Sequence, residues 1–247
     1  MNFIFLSLFP EQMSAFFSKG IISRAVANGL LSLEFLDLRQ FSDDRWGRVD
    51  DKPFGGGDGM LLRADIIYRA VCSINQYQCY QLLYPSPKGR RISQSLVDAY
   101  ATDSSKKGFI FLPGYYEGVD ERVLELLPVE KVSLGDYVLS SSDLPGMVVA
   151  DAVIRLLPGV MGEPECAKND SHSSGLLEYP QYTKPRNVEE LLVPSVLTSG
   201  SHKQIRLWNQ KKSIANTLFL RPDLLARVEM SGEALGCLGE VIEEVLI

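Results

Sequence analysis

The sequence predicts an α/β chain built on a mostly parallel sheet. Short apolar, strand-like runs alternate with helical patterns through residues 3–157. Three of those runs, ending near residues 84, 112 and 134–139, each lead into a glycine- or proline-bearing loop. Hydrophobic residues make up 45% of the 247, enough for a sizeable core. Alternation of this kind implies parallel strands joined by helical crossovers.

Residues 3–8 and 31–38 read as strands rich in Phe, Ile and Leu. Between them, Glu11 to Phe17 and Ile21 to Ala27 read as helices, with Gly20 and Gly29 as breakers. Residues 39–60 form a long polar loop. Ala64 to Cys72, Ser93 to Thr102 and Asp120 to Leu127 read as helices. Tyr80 to Tyr84, Phe109 to Leu112 and Lys131 to Leu134 read as strands. The last leads through Gly135-Asp136-Tyr137-Val138-Leu139 and a serine-rich turn to a helix predicted over Pro145 to Leu157. Pro145 suits a first helical turn, and Asp143 stands where it can cap that helix. The helix is almost wholly apolar, which predicts burial. Asp151 and Arg155 break the pattern at i and i+4, as an intrahelical pair or as an arginine needing a buried partner.

Residues 159–175 lose all periodicity and read as a linker. From Asn187 the chain reads as a second, helical unit. Its expected helices are Val188 to Leu192, Ser201 to Leu218, Pro222 to Val228 and Leu238 to Leu246.

Composition excludes several classes. No apolar run is long enough to span a bilayer. The apolar N-terminus lacks a basic segment and a cleavage site, so it predicts a first strand rather than a signal peptide. Cys72, Cys79, Cys166 and Cys237 are scattered and predict reduced thiols in a cytoplasmic protein. With only His172 and His202, no all-protein zinc site is expected. The net charge of −6 argues against general nucleic-acid affinity. Its distribution is uneven, however. Residues 228–247 hold five Glu and no cation, while residues 201–222 hold Lys203, Arg206, Lys211, Lys212 and Arg221 with no acid. That stretch reads either as a surface for a polyanion or as a solvated helix face.

The motifs between elements carry the chemistry. Gly55-Gly56-Gly57-Asp58-Gly59 lacks a preceding strand and a P-loop lysine, so it reads as a turn where backbone approaches a ligand or partner. Pro85 to Arg91 and Pro113 to Arg122 each follow a strand, and Asp120 is placed to cap the next helix. In a parallel sheet these loops share one edge with residues 133–145, where backbone groups can hold a ligand.

Taken together, the motifs resemble the bacterial tRNA (guanine-N1)-methyltransferases of the SPOUT class. The matching pieces include Pro53-Phe54-Gly55-Gly56-Gly57, Ser86-Pro87, Tyr116-Glu117-Gly118 and Gly135-Asp136-Tyr137-Val138-Leu139-Ser140. They continue with Leu144-Pro145, Asp151-Ala152-Val153, Arg155, Asp170-Ser171 and Ser199-Gly200 before His202. Their order runs through nearly the whole chain.

The resemblance implies a SPOUT-type parallel sheet with a deep trefoil knot in the catalytic domain, residues 1–158. It implies a flexible linker over 159–175 and a small helical tRNA-binding domain over 176–247. It also implies a homodimer with active sites between subunits. S-adenosylmethionine would lie against Pro87, Gly114, Ser133, Leu134, Gly135, Asp136, Tyr137, Val138, Leu139 and Pro145. The substrate would be the guanosine at position 37 of tRNA, next to the anticodon. Asp170 would be the general base at N1 and Arg155 would stabilise O6. Glu117 would bind the guanine edge or a magnesium ion. His202, Lys203, Arg206, Lys211 and Lys212 would grip RNA. Methylation of another RNA, or silent RNA binding, are the alternative readings.

Several residues depart from the family's pattern. Tyr115 stands where an arginine is usual, and Ser141 and Ser142 stand for two glycines. His172 replaces a phenylalanine, and Glu178 an aspartate. With Asp170, Arg155 and Glu117 retained, an active enzyme is expected.

Overall fold

The computed structural model describes residues 1–162 and 170–246, in two compact units, Met1–Gly162 and Glu163–Ile247. The first unit contains strands β1 (Asn2–Ser7), β2 (Ser32–Asp37), β3 (Asp50–Asp51), β4 (Leu61–Leu62), β5 (Gln81–Arg91), β6 (Gly108–Phe111) and β7 (Val129–Ser133). Five of them form one sheet in the order β2-β1-β6-β5-β7, every pair parallel. β3 and β4 form a separate antiparallel pair.

The period-two alternation of the strands builds a core on each face. Phe3, Phe5, Leu83, Phe109, Phe111 and Val132 point to one side. Helices α1 (Pro10–Phe17) and α2 (Gly20–Ala27) pack there. Ile4, Leu6, Leu82, Ile110 and Leu112 point to the other side. Helix α3 (Ala64–Ser73) covers them through Ile66, Ile67, Ala70 and Val71, an apolar stripe at helical spacing. The first face is completed by α4 (Gln94–Thr102) and the second by α5 (Glu121–Leu126). Stacked rings, such as Phe5 and Phe111 at 4.6 Å, tie β1 to β6. Helix α6 (Asp143–Ile154) returns to the first face.

The caps follow from local chemistry. The Asp120 side chain accepts from the Arg122 amide at 3.0 Å and starts α5, as expected. Asp143 does not cap α6. The helix begins at Asp143 itself, and Ser142 precedes it without a side-chain cap bond. The Asp143 carboxylate is drawn instead to hydroxyls on β1 and the β6 loop. Nor is α6 buried all round. Val149, Ala150, Val153 and Ile154 face the core, but Leu144 and Val148 remain 49% and 42% exposed. One face of the helix meets the core, and on the other Leu144 and Val148 stay about half exposed.

β5 runs further than its apolar stretch predicts. Pro85 pairs with Val132, residues 86–89 loop out, and Arg90 then pairs with the same Val132. Gly89 permits this close return, since a Cβ there would lie 2.3 Å from the Val132 nitrogen.

The second unit contains α7 (His202–Leu220), α8 (Pro222–Leu225) and α9 (Gly232–Leu246). Ile214, Ala234 and Cys237 form its small core. The helix expected over Val188 to Leu192 is a hairpin, β8 (Asn187–Val188) against β9 (Leu191–Leu192). Glu189 and Glu190 adopt φ of 48° and 70°, which a right-handed helix cannot accommodate. Cys72, Cys79 and Cys237 are free thiols, while Cys166 and the rest of Glu163–Asn169 lie outside the described residues. Among the described residues no helix is long and apolar enough to cross a membrane.

Candidate functional site

The looped-out segment of β5 and the loops that follow β6 and β7 converge at one edge of the sheet, around a cavity of about 300 Å³. Pro87 lines it from the first loop, and Gly114, Tyr116, Glu117 and Gly118 from the second. Ser133, Leu134, Gly135, Tyr137, Val138, Leu139 and Pro145 line it from the third stretch. Nine of the ten residues expected to hold a methyl donor therefore meet here. Asp136 is the exception, since its side chain is exposed and is not part of the lining.

Local geometry explains why small residues stand at this edge. Ser133 Oγ donates to the Gly135 carbonyl at 3.1 Å and lies 3.2 Å from the Gly135 nitrogen, closing a tight turn. A Cβ on Gly135 would fall 2.7 Å from the Tyr137 ring, so the glycine lets that ring fold back across the turn. The Ser142 amide donates to the Gly114 carbonyl at 2.8 Å, and Ser142 Oγ donates to the Leu112 carbonyl at 3.2 Å. Ser142 thus fastens the third stretch to the second loop.

Glu117 also lines the cavity. Its amide donates to the Met60 carbonyl at 3.1 Å. A Cβ on Gly59 would meet the Glu117 side chain at 2.6 Å, so the end of the glycine-rich turn serves as the bed for this carboxylate. Gly55, Gly56, Gly57 and Gly59 all have positive φ, as that turn requires. Among the described residues no group of three or more His, Cys, Asp or Glu comes together as a metal cluster.

Beneath the cavity wall lies a buried polar knot. Tyr115 is 7% exposed. Its hydroxyl accepts from the Leu8 amide at 3.1 Å, lies 2.9 Å from Ser7 Oγ and donates to the Asp143 carboxylate. Ser7 Oγ donates to the same carboxylate oxygen at 2.7 Å. Burial pushes the Asp143 carboxyl above its ordinary range, while the two hydroxyls pull it back. Burial and the neighbouring carboxylate raise the Tyr115 phenol, so it stays protonated.

Arg155 follows the last residue of α6 and is half-buried, in the first unit. Asp170 belongs to the second unit. It opens a hydrogen-bonded turn. The Ser173 amide donates to the Asp170 carbonyl at 3.1 Å, the His172 amide to the Leu176 carbonyl at 2.8 Å, and the Glu178 amide to Ser171 Oγ at 3.0 Å. The turn is anchored on α7, where buried Thr217 Oγ1 accepts from the Leu177 amide at 2.9 Å.

The expected RNA-facing residues divide. His202 and Lys203 are exposed at the start of α7. Arg206 reaches Glu233 at 3.7 Å. Lys211 is paired at 2.9 and 2.7 Å with Glu240 and Glu244 of α9, whose hydrogen bonds raise its pKa. Lys212 is half-buried. The acid-rich and base-rich stretches, separate in sequence, face each other once folded. Their charges partly cancel.

The profile of the family described as tRNA (Guanine-1)-methyltransferase TrmD matches residues 1–227. The chain belongs to this family. It is 43% identical to the tRNA (guanine-N(1)-)-methyltransferase of Moorella thermoacetica over 239 residues, 96% of this chain and 94% of that one. It is 43% identical to the protein of that name from Carboxydothermus hydrogenoformans over 225 residues, 91% and 87% of the two chains. The Aeromonas salmonicida protein of that name is 41% identical, with 97% and 96% covered.

The sequence of this TrmD family chain announces the cavity's glycine loops but not all of its walls. Tyr84, Glu121 and Lys131 also line the cavity. Tyr84 was hidden in an apolar strand run. Glu121 and Lys131 form an ion pair at 2.9 Å, which only the fold reveals. Thr217, the anchor of the Asp170 turn, carries no signal in the sequence.

Proposed function

We propose that this chain transfers a methyl group from S-adenosylmethionine to N1 of the guanosine at position 37 of tRNA, next to the anticodon. The observation that carries the reading is the glycine-lined cavity at the carboxyl edge of a parallel sheet, in a chain of the TrmD family. The cavity fits a nucleoside-sized ligand. Its volume lies at the lower end of small-molecule sites. Its lining mixes apolar walls (Leu134, Val138, Leu139) with backbone groups freed by Gly114 and Gly135. When bound, S-adenosylmethionine supplies an electrophilic methyl group.

The chain's own residues do the rest. N1 of guanine is a poor nucleophile while protonated. Asp170 takes that proton as general base. Negative charge then develops on O6, and the fixed guanidinium of Arg155 stabilises it. Glu117 orients the guanine edge, or holds a magnesium ion, from the cavity rim. Exposed His202, Lys203 and Arg206 support an RNA-facing role for the second unit, as a small helical domain over 176–247. Family membership supports the trefoil knot expected of the catalytic domain, the flexible linker and action in the cytoplasm. A homodimer is supported by the uncovered apolar residues Val138, Leu144 and Val148, next to the cavity.

The test uses labelled S-adenosylmethionine and two tRNA transcripts that differ only in G or A at the target position. Label on the G transcript alone supports the proposal. Label on both, or on neither, defeats it.

A further inference from the structure

The Ser7–Tyr115–Asp143 knot joins three elements that have no sequence proximity. Ser7 ends β1, Tyr115 sits in the loop after β6, and Asp143 is the first residue of α6. Tyr115 is flanked by Gly114 and Tyr116, both in the cavity wall. Asp143 is flanked on one side by Ser140, Ser141 and Ser142 and, two residues on, by Pro145, all in that wall too. None of the three knot residues lines the cavity itself. The phenol can only act through its neighbours.

We propose that Tyr115 is a positioning residue for the methyl-donor cavity: its hydroxyl, held by the Leu8 amide and by Asp143, fixes the Gly114–Gly118 loop against the first turn of α6. This rests on the cavity being the donor site. Four contacts converge on the two side chains. The Leu8 amide donates to the phenol oxygen at 3.1 Å from the β1 side, and Ser7 Oγ lies 2.9 Å from it. The Asp143 carboxylate takes both hydroxyls on one oxygen. The Phe9 amide donates to Ser7 Oγ at 2.8 Å, which fixes the serine in turn. The ring of Phe9 meets that of Tyr115 edge-on at 5.9 Å, so the phenol has little freedom to swing away. Where the family pattern has a cationic side chain, this chain uses a neutral donor of fixed length. A buried, fully partnered network of this kind specifies one arrangement of the elements it joins.

The roles of Tyr115 and Asp143 separate from chemistry in the kinetics. In the full-length enzyme, Tyr115→Phe removes only the hydroxyl. Donor Kd, measured by titration calorimetry with S-adenosylmethionine, is expected to rise about fivefold, the factor carried by one ordinary hydrogen bond. kcat at saturating donor and tRNA stays within about twofold, because no reacting atom is touched. Asp143→Asn gives a similar rise. The double variant is expected to be no worse than the poorer single one, since both act through the same bond. Ser7→Ala, which leaves the phenol in place, gives a smaller rise and stands in if Tyr115→Phe melts below the assay temperature. Unchanged donor Kd with only a lowered melting temperature overturns the inference. So does a fall in kcat at unchanged Kd, or strict additivity in the double variant. If the wild-type chain itself binds no S-adenosylmethionine, the donor-site reading fails instead, and with it the ground for this inference.

Discussion

The Ser142 amide donates to the Gly114 carbonyl at 2.8 Å, joining two loops of the cavity through main chain alone. That bond does not depend on the Ser142 side chain. The hydroxyl adds a second bond, to the Leu112 carbonyl at 3.2 Å. The serine that replaces the family's glycine therefore strengthens a junction that glycine already permits.

Ser142→Gly is expected to lower stability by about 1 kcal/mol, through one lost buried hydrogen bond and a more flexible unfolded chain. Donor affinity stays within about twofold. Urea unfolding and donor titration on the same sample check both halves. A large loss of affinity at unchanged stability would show that the hydroxyl itself touches ligand.

Asp143 makes a sign prediction. Burial raises its folded-state pKa above the unfolded value of about 3.9. The folded chain thus holds a proton that the unfolded chain has released. The stability this contributes is complete below the unfolded pKa and is lost as pH rises through the folded one. The stability of the wild type relative to Asp143→Asn should therefore be greatest in acid and fall as pH rises through the folded-state pKa. Urea midpoints from about pH 3.5 to 7 report the slope. A difference that grows with pH would mean the hydroxyls outweigh burial.

Much of the sheet was legible because its strands alternate or run apolar between clear breakers. Phe3, Phe5, Phe109 and Phe111 announce a core from sequence alone. The cavity loops were legible for the same reason, since they follow those strands. What stayed hidden depends on long-range pairing. Nothing local shows that Arg90 rejoins Val132 after a looped-out segment, or that Gly89 is pressed against the β7 backbone. Val188 to Leu192 looked helical because apolar and acidic residues recur at helical spacing, yet Glu189 and Glu190 form a turn of positive φ. Asp143 looked like a cap because caps are local. Its partners, Ser7 and Tyr115, lie far away in the chain. Nor does anything local show that α9 brings Glu240 and Glu244 to Lys211 of the basic stretch.

The proposed chemistry separates Asp170 from Arg155. Asp170→Asn keeps the shape of the side chain but cannot accept the N1 proton. It should lower kcat by about 10²–10⁴ and leave donor Kd unchanged. Arg155→Ala removes the donor to O6 and should lower kcat by about 10²–10³. Single-turnover methyl transfer under saturating tRNA measures each. Asp170→Asn at near-wild-type rate would remove it as the base.

Val148 tests the assembly. It is 42% exposed on the outer face of α6, beside Leu144 at 49%, with Val138 at 82% on the cavity loop. Apolar side chains so placed gain most by burial against a second subunit, at roughly 25 cal/mol per Å² removed from water. A charge placed among them leaves the folded unit intact, because the inner face of α6, through Val149, Ala150 and Val153, is untouched. In the proposed homodimer, Val148→Glu is therefore expected to shift sedimentation toward monomer while the melting temperature at low protein concentration changes little. If the active site needs both subunits, methyl transfer falls in step with the dimer fraction and recovers as protein concentration is raised. A monomeric variant with full activity at every concentration would show that each chain carries a complete site.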